Sequence, residues 1–343
     1  MPMVPRAPTS PFAARLYRSA LFVAAPLLAL ACSGTGDAAG TDGEIAHAET
    51  TPREVASATA PTPSTGPTTA SSTSPTPTAP TNPPDAGPPP FSMRTWKPSA
   101  KGLWIWYFDY TGMTAAQAAA KAQSLGVGYV LIKSGQDKSF WPQRFNATFV
   151  KEFTSRGMRV LAWPYITPAG GTAAVDAAVQ AAKVPGCDGL VLDVEVEWEE
   201  GGDHSAAAQS LCQGIRTKAP GVWLAYTSFG WISQHPGFPW KTFDTYCGDA
   251  AFPQVYFSDR GVSWNGTKGL PQALSDYANA KLKAPLWPIG SNDDVYGTSQ
   301  GPTTTALNGF LNAAGAYSSL YEFPDAARPE KLTQLAQLDW KNP

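Results

Sequence analysis

The sequence predicts an α/β chain that folds as a single (β/α)8 TIM barrel after a disordered N-terminal spacer. Three observations predict it. Short apolar runs alternate with Ala-rich helical segments eight times in a row, and each helix supplies the crossover that a parallel strand pair needs. The part that carries this rhythm, Arg94 to Pro343, has about 250 residues, the usual size of such a barrel. The first strand-to-helix loop, "DYTGMT", lacks the glycine-rich turn that an open doubly wound sheet usually brings.

The elements follow in order. "GLWIWYF" (102–108) reads as the first strand, and "TAAQAAAKAQSLG" (114–126) as a helix with a Thr cap and a closing Gly. "VGYVLIKS" (127–134), "MRVLAWPYI" (158–166) and "DGLVLDVEVE" (188–197) are strands two to four. The helices after them are 146–157, 171–186 and 204–221. "VWLAYTS" (222–228) is strand five, but the chain beyond it, "FGWISQHPGFPWKTFDTYCG", shows little clean helix. Strands six to eight are expected at 252–257, 285–290 and 316–323, with helices at 270–282, 303–315 and 329–338.

The first 93 residues carry no such rhythm. Arg6, Arg15 and Arg18 precede the apolar run Ala20 to Ala31, which falls short of the roughly 20 residues that span a bilayer, so residues 1–31 read as a cleaved export signal. Residues 32–93 are rich in Pro, Thr, Ser and Ala. They lack the apolar surface that would offset ordering entropy, and they form the disordered linker. The run ends in "ALACSG", which resembles a bacterial lipoprotein signal with Ala29 at a position where that pattern favours Leu. The resemblance implies that Cys32 is lipidated and that acyl chains hold the protein on the outer face of a membrane. Ordinary secretion is the alternative. Export permits a disulfide among Cys187, Cys212 and Cys247, with Cys212–Cys247 the pair singled out and one thiol left over.

Strand four holds the chemistry. Side chains alternate along a strand, so Leu190, Leu192, Val194 and Val196 form one face and Val191, Asp193, Glu195 and Glu197 the other. The apolar face suits the layer beneath the helices. The acidic face then points into the barrel near the C-terminal end of the strand, where barrel enzymes keep their active sites. Asp193 and Glu195 would stand about 6.6 Å apart, from a rise of about 3.3 Å per residue. Two acids in a confined, partly dry site cannot both ionise easily. One keeps its proton, which is what protonation of a glycosidic oxygen requires.

"DGLVLDVE" (188–195) resembles the strand-four pattern D-G-x-D-x-D-x-E of glycoside hydrolase family 18, chitinases and relatives, except that Val191 stands where that family has Asp. The resemblance implies Glu195 as general acid, Asp193 as the residue that orients a 2-acetamido group, and a strand-six Tyr on the acetamido oxygen, here Tyr256 in "QVYF", with Gln254 on the same face. "LDVE" (192–195) also resembles the strand-four end of family 25, the muramidase-type lysozymes. That family adds an acid at the end of strand one, a place Asp109 fills.

Aromatic faces stack on the apolar faces of sugars. Trp106, Trp163, Tyr165, Trp198 and Tyr226 fall near strand ends or on the loops after them and, with Glu197 and Glu322, are the expected substrate-binding set; the loop residues Trp141, Trp231 and Trp264 share that reading, while Trp104 and Trp223 read as core. Three His and no G-x-S-x-G motif argue against zinc or serine hydrolases. A magnesium site would have to draw on Asp193, Glu195 and Asp109. No metal or cofactor is expected. A net charge of −2 gives no support for a nucleic-acid partner. The expected function is cleavage of an amino-sugar polysaccharide, peptidoglycan or chitin-like, by a monomer in the bacterial cell envelope. The alternatives are a catalytically inactive sugar-binding barrel and a glycosidase for another sugar.

Overall fold

Eight parallel strands close into a barrel in the computed structural model, which describes residues 100–258, 260–292 and 301–341. The signal segment, Cys32, the linker, Asp259, Asp293, Asp294 and Tyr296 lie outside the described residues. The strands are β1 (Gly102–Ile105), β2 (Tyr129–Gln136), β3 (Arg159–Tyr165), β4 (Gly189–Asp193), β5 (Leu224–Phe229), β6 (Ala251–Gln254), β7 (Ile289–Ser291) and β8 (Ser319–Tyr321). Each pairs with its successor, and β1 closes the ring by pairing with β8 through Gly102↔Ser319 and Leu103↔Leu320. A two-residue return strand, Ser139–Phe140, adds to the end of β2.

Helices cover the outside: α1 (Ala115–Leu125), α2 (Ala147–Thr154), α3 (Gly171–Ala182), α4 (Ser205–Lys218), α5 (Trp240–Cys247), α6 (Leu270–Asn279), α7 (Thr304–Ala313) and α8 (Pro329–Leu335). The Thr114 hydroxyl accepts from the Gln117 amide and the Gln117 side chain accepts from the Thr114 amide, a capping box that starts α1. Gly126 ends α1 with φ of 93°, a left-handed turn that favours glycine. Asn146 and Thr303 cap α2 and α7. Among the described residues no helix is long and apolar enough to cross a membrane.

Two expectations are corrected here. The fifth beat does contain a helix, α5, after a single 3-10 turn at Ile232–Gln234. Strand seven is shorter than expected because Pro285 and Pro288 bring no N–H to the ladder, so regular pairing starts at Ile289.

The strands divide their side chains between two apolar cores. Leu103, Val130, Ile132, Val160, Leu190, Leu192, Val194 and Leu320 pack under the helices. Trp104, Tyr129, Leu131, Leu161, Trp163, Val191, Trp223, Phe252 and Trp287 fill the barrel itself. The Trp104 indole stands edge-on to Trp163 at 5.4 Å and to Phe252 at 6.0 Å, and donates to the Ser319 hydroxyl at 3.0 Å. The lumen is therefore a packed, largely aromatic floor, and its charged side chains gather in the top layer.

Cys212 on α4 and Cys247 at the end of α5 form a disulfide with Cα atoms 5.5 Å apart, and Cys187 is a buried free thiol. The bridge spans 35 residues, so it restricts the unfolded chain by about 3–4 kcal/mol. Replacing both cysteines by Ser is expected to lower the unfolding free energy by about 3 kcal/mol in urea titrations. Reductant should then destabilise the natural chain and leave the double variant unchanged.

Candidate active site

The polar layer gathers where β2, β3, β4, β5 and β6 end. Strand β4 stops at Asp193; Glu195 leads into a 3-10 turn at Val196–Trp198, so Glu197 lies beyond the strand. The alternation still carries through to Glu195. Asp193 and Glu195 are 2% and 3% exposed, although both are acids. At the other end of β4, Asp188 accepts from Arg159 Nη1 at 2.7 Å and from the Val160 amide at 2.9 Å, which latches β3 to β4.

Gln254 on β6 bridges the pair. Its Nε2 donates to Glu195 Oε1 at 2.9 Å and reaches Asp193 Oδ1 at 3.3 Å and Thr227 Oγ1 at 3.4 Å. The shared amide brings the two carboxyls side by side in a site closed to water, where two anions would repel each other and one retained proton is favoured. Burial, then the charge of Asp193, hold the Glu195 carboxyl well above the usual carboxylate range. Burial also raises Asp193, to about 7, but the Lys133 ammonium opposes it. Both directions favour the proton on Glu195 and the negative charge on Asp193.

Lys133 was not singled out by its sequence context, yet it lies at the centre of the site, 3% exposed. Its Nζ sits 4.2 Å above the Trp163 ring and 5.2 Å from the Tyr165 ring. Burial lowers it to about 8 against the carboxylates of Asp193, Glu195, Asp137 and Glu322. The signal was present: "VLIKS" places a lysine in an apolar strand, in phase with the lumen-facing Tyr129 and Leu131.

The other expected residues divide into two groups. Tyr165 donates from its hydroxyl to Glu197 Oε2 at 2.6 Å, at the rim of the pair. Burial raises its phenol. Trp163 donates to the Ile105 carbonyl at 3.2 Å, and Trp106, Tyr256 and Tyr321 complete the lumen wall, with the Tyr256 and Tyr321 rings 6.1 Å apart. Glu322 follows Tyr321, and its carbonyl accepts from Asn292 Nδ2 at 3.0 Å.

Four expectations fail on placement. Strand β1 ends at Ile105, and the chain then turns into the helical turn Phe108–Thr111, so Asp109 points outward, its side chain 69% exposed and paired with Arg144 at 3.0 Å. Trp198 is buried under the helices: its Nε1 donates to the Ile166 carbonyl at 2.7 Å and its ring meets Phe243 edge-on at 5.0 Å. Tyr226 occupies the outward phase of β5 and stacks on Phe243 at 5.7 Å. Among the loop aromatics, Trp231 likewise packs, with its Nε1 donating to the Gly269 carbonyl.

No family model matches the sequence, and no curated protein matches it. Solved structures do. The chain is similar to the PgaB (BpsB) glycoside hydrolase domain of Bordetella bronchiseptica, with a TM-score of 0.51 and 13% identity over 70% of this chain and 98% of that one. The likeness shows the fold, a (β/α)8 barrel. The C-terminal domain of a Desulfitobacterium hafniense protein described as a chitinase matches at a TM-score of 0.47 and 12% identity, over 70% of this chain and 99% of that one. The Bacillus cereus spore cortex-lytic enzyme SleL matches at 0.46 and 10%, over 71% and 76%.

Two acids raised by burial make stability depend on pH. The folded state holds protons that the unfolded chain releases, so stability is full below the unfolded values and falls as pH rises. For Asp193 that window runs from its ordinary 3.8 to about 7. Urea midpoints are expected to decline between about pH 4 and pH 7, and Glu195→Gln should flatten the decline.

Proposed function

We propose that the protein is a glycoside hydrolase in which Glu195 protonates the leaving oxygen and Asp193 stabilises the positive charge that develops at the anomeric carbon. One observation carries the reading: a dry pair of carboxyls at the C-terminal mouth of the barrel, bridged by the Gln254 amide. Neighbouring acids whose environments separate their protonation are the arrangement that acid-assisted glycosidic cleavage needs. Gln254 orients both carboxyls, and Trp163, Tyr165, Tyr256 and Tyr321 supply the aromatic wall against which a sugar ring is held. The likeness to a glycoside hydrolase domain supports this assignment at the level of the fold.

The substrate class follows from the strand-four motif. An aspartate two residues before the acid suits a sugar with a 2-acetamido group, with Asp193 orienting that group and Tyr256 meeting its oxygen. Peptidoglycan and chitin-like polymers are the substrates to try. Action outside the cytoplasm, and an anchor through Cys32, belong to the same proposal. They rest on the N-terminal sequence, "ALACSG" after an apolar run.

The near-complete burial of both carboxyls favours a second reading, a barrel that holds glycan at its mouth without cleaving it. The two readings separate on one comparison. The full chain and its Glu195→Gln variant are incubated with purified peptidoglycan and with chitin oligomers, and new reducing ends are counted beside binding. Cleavage predicts that Glu195→Gln loses at least about 10²-fold in turnover while binding persists. Binding without release by either protein would select the second reading.

A further inference from the structure

Lys133 is the charged group for which neither the motif nor the proposed chemistry yet gives a reason. A buried ammonium is costly unless it is paired. Strand β2 spends a lumen position on it all the same, in phase with Tyr129 and Leu131. A bulge follows at once: the register with β3 runs Lys133↔Trp163 and then skips to Gly135↔Pro164. Gly135 leaves no room for a side chain, since a Cβ there would meet the Ser139 carbonyl oxygen. The backbone is thus shaped to end the inward phase of β2 on Lys133.

Its neighbours explain the position. Trp163 and Tyr165 on β3 present their ring faces to Nζ, and Tyr165 is the register partner of Asp193 on β4. The charges that face Lys133 are Asp193 and Glu195 at the end of β4, Asp137 in the turn after β2 and Glu322 after β8, with the Tyr165 phenol on β3 turned to Glu197. Asp137 is already engaged, since its Oδ1 accepts from the Thr167 amide and hydroxyl. One cation beside two carboxyls held together by Gln254 favours one anion and one acid over two acids.

We propose that Lys133 is a positioning residue that fixes where the single proton of the pair lies, holding Asp193 as the anion and leaving Glu195 as the acid. Its consequence for catalysis rests on the reading of Glu195 as proton donor; its consequence for protonation does not.

The test reads protonation directly in the full chain, without substrate. The carboxyl infrared bands are assigned with Asp193→Asn and Glu195→Gln and followed against pH. Asp193 should titrate near 7, and Lys133→Met should raise it by about one unit or more, as loss of a nearby opposite charge does. Lys133→Arg should restore most of the natural value. By reciprocity, Asp193→Asn should lower the Lys133 amine below its value of about 8, read by lysine side-chain NMR, which keeps the idea testable if Lys133→Met does not fold. If Lys133→Met leaves the Asp193 band in place, or Asp193→Asn leaves the amine in place, Lys133 does not set the proton. Turnover is a separate readout. Should the natural chain release no reducing ends while the bands move as expected, the glycosidase reading fails and the role of Lys133 stands. Where both hold, the acidic limb of the pH–rate profile moves upward in Lys133→Met with the Asp193 band.

Discussion

The pairing of Asp193 with Glu195, two carboxyls closed off from water and bridged by one Gln254 amide, is the constraint around which the lumen is arranged. Two acids cannot share so dry a place as two anions. The barrel accommodates them by sharing one proton, by giving both carboxyls the Gln254 amide, and by placing the Lys133 ammonium on the aromatic faces next to them. Each of these partners comes from a different strand, β2, β4 and β6. A closed barrel is the geometry that brings side chains from such separated strands to one spot with rigid backbones behind them.

That rigidity has its own origin, at the opposite end of the strands. Lys101 enters β1 with its Nζ bonded to the Leu311 and Gly315 carbonyls at 2.7 and 2.6 Å and to the Ser318 hydroxyl at 3.1 Å, which ties β1 to the α7–β8 connection at the closing seam. Asp188 takes Arg159 and the Val160 amide, and Asp249 takes Arg216 and the Leu224 amide. Each of these polar side chains serves backbone groups or one partner that would otherwise go unsatisfied. Between the two ends lies the aromatic floor of Trp104, Trp163, Trp223, Phe252 and Trp287. The division suits a barrel fold: structural bonds at the lower end, the buried charged cluster at the upper.

Much of this was legible in the sequence, for a physical reason. Parallel strands covered on both faces read as apolar runs, and a charged residue in such a run stands out. That contrast exposes Asp193 and Glu195, and the same contrast holds for Lys133 in "VLIKS". Gln254 was legible through its phase with Tyr256. What failed was the assignment of aromatic residues to a face. Tyr226 is one residue from Thr227, whose hydroxyl reaches Gln254, and that single step moves it from the lumen to the helix layer. Trp198 follows the end of β4 within a 3-10 turn, where alternation no longer holds. Asp109 was placed by extending "GLWIWYF" to its full length, whereas pairing with β2 and β8 ends at Ile105.

Val191 bears on how the site departs from the family whose strand-four pattern it resembles. That pattern puts a third acid two residues before Asp193. Here the position is a valine, fully buried in the lumen core with Leu161, Ala225 and Phe252. A carboxyl at that depth would sit in the apolar floor, where its charge is least affordable without a partner. An acid below Asp193 would also push Asp193 toward its neutral form, by like-charge repulsion. A lysine beside Asp193 acts in the opposite sense and favours its anion. Valine below and lysine beside are therefore one consistent solution: the charge that biases the pair is supplied from β2, by a cation, and β4 keeps only the two carboxyls that share the proton.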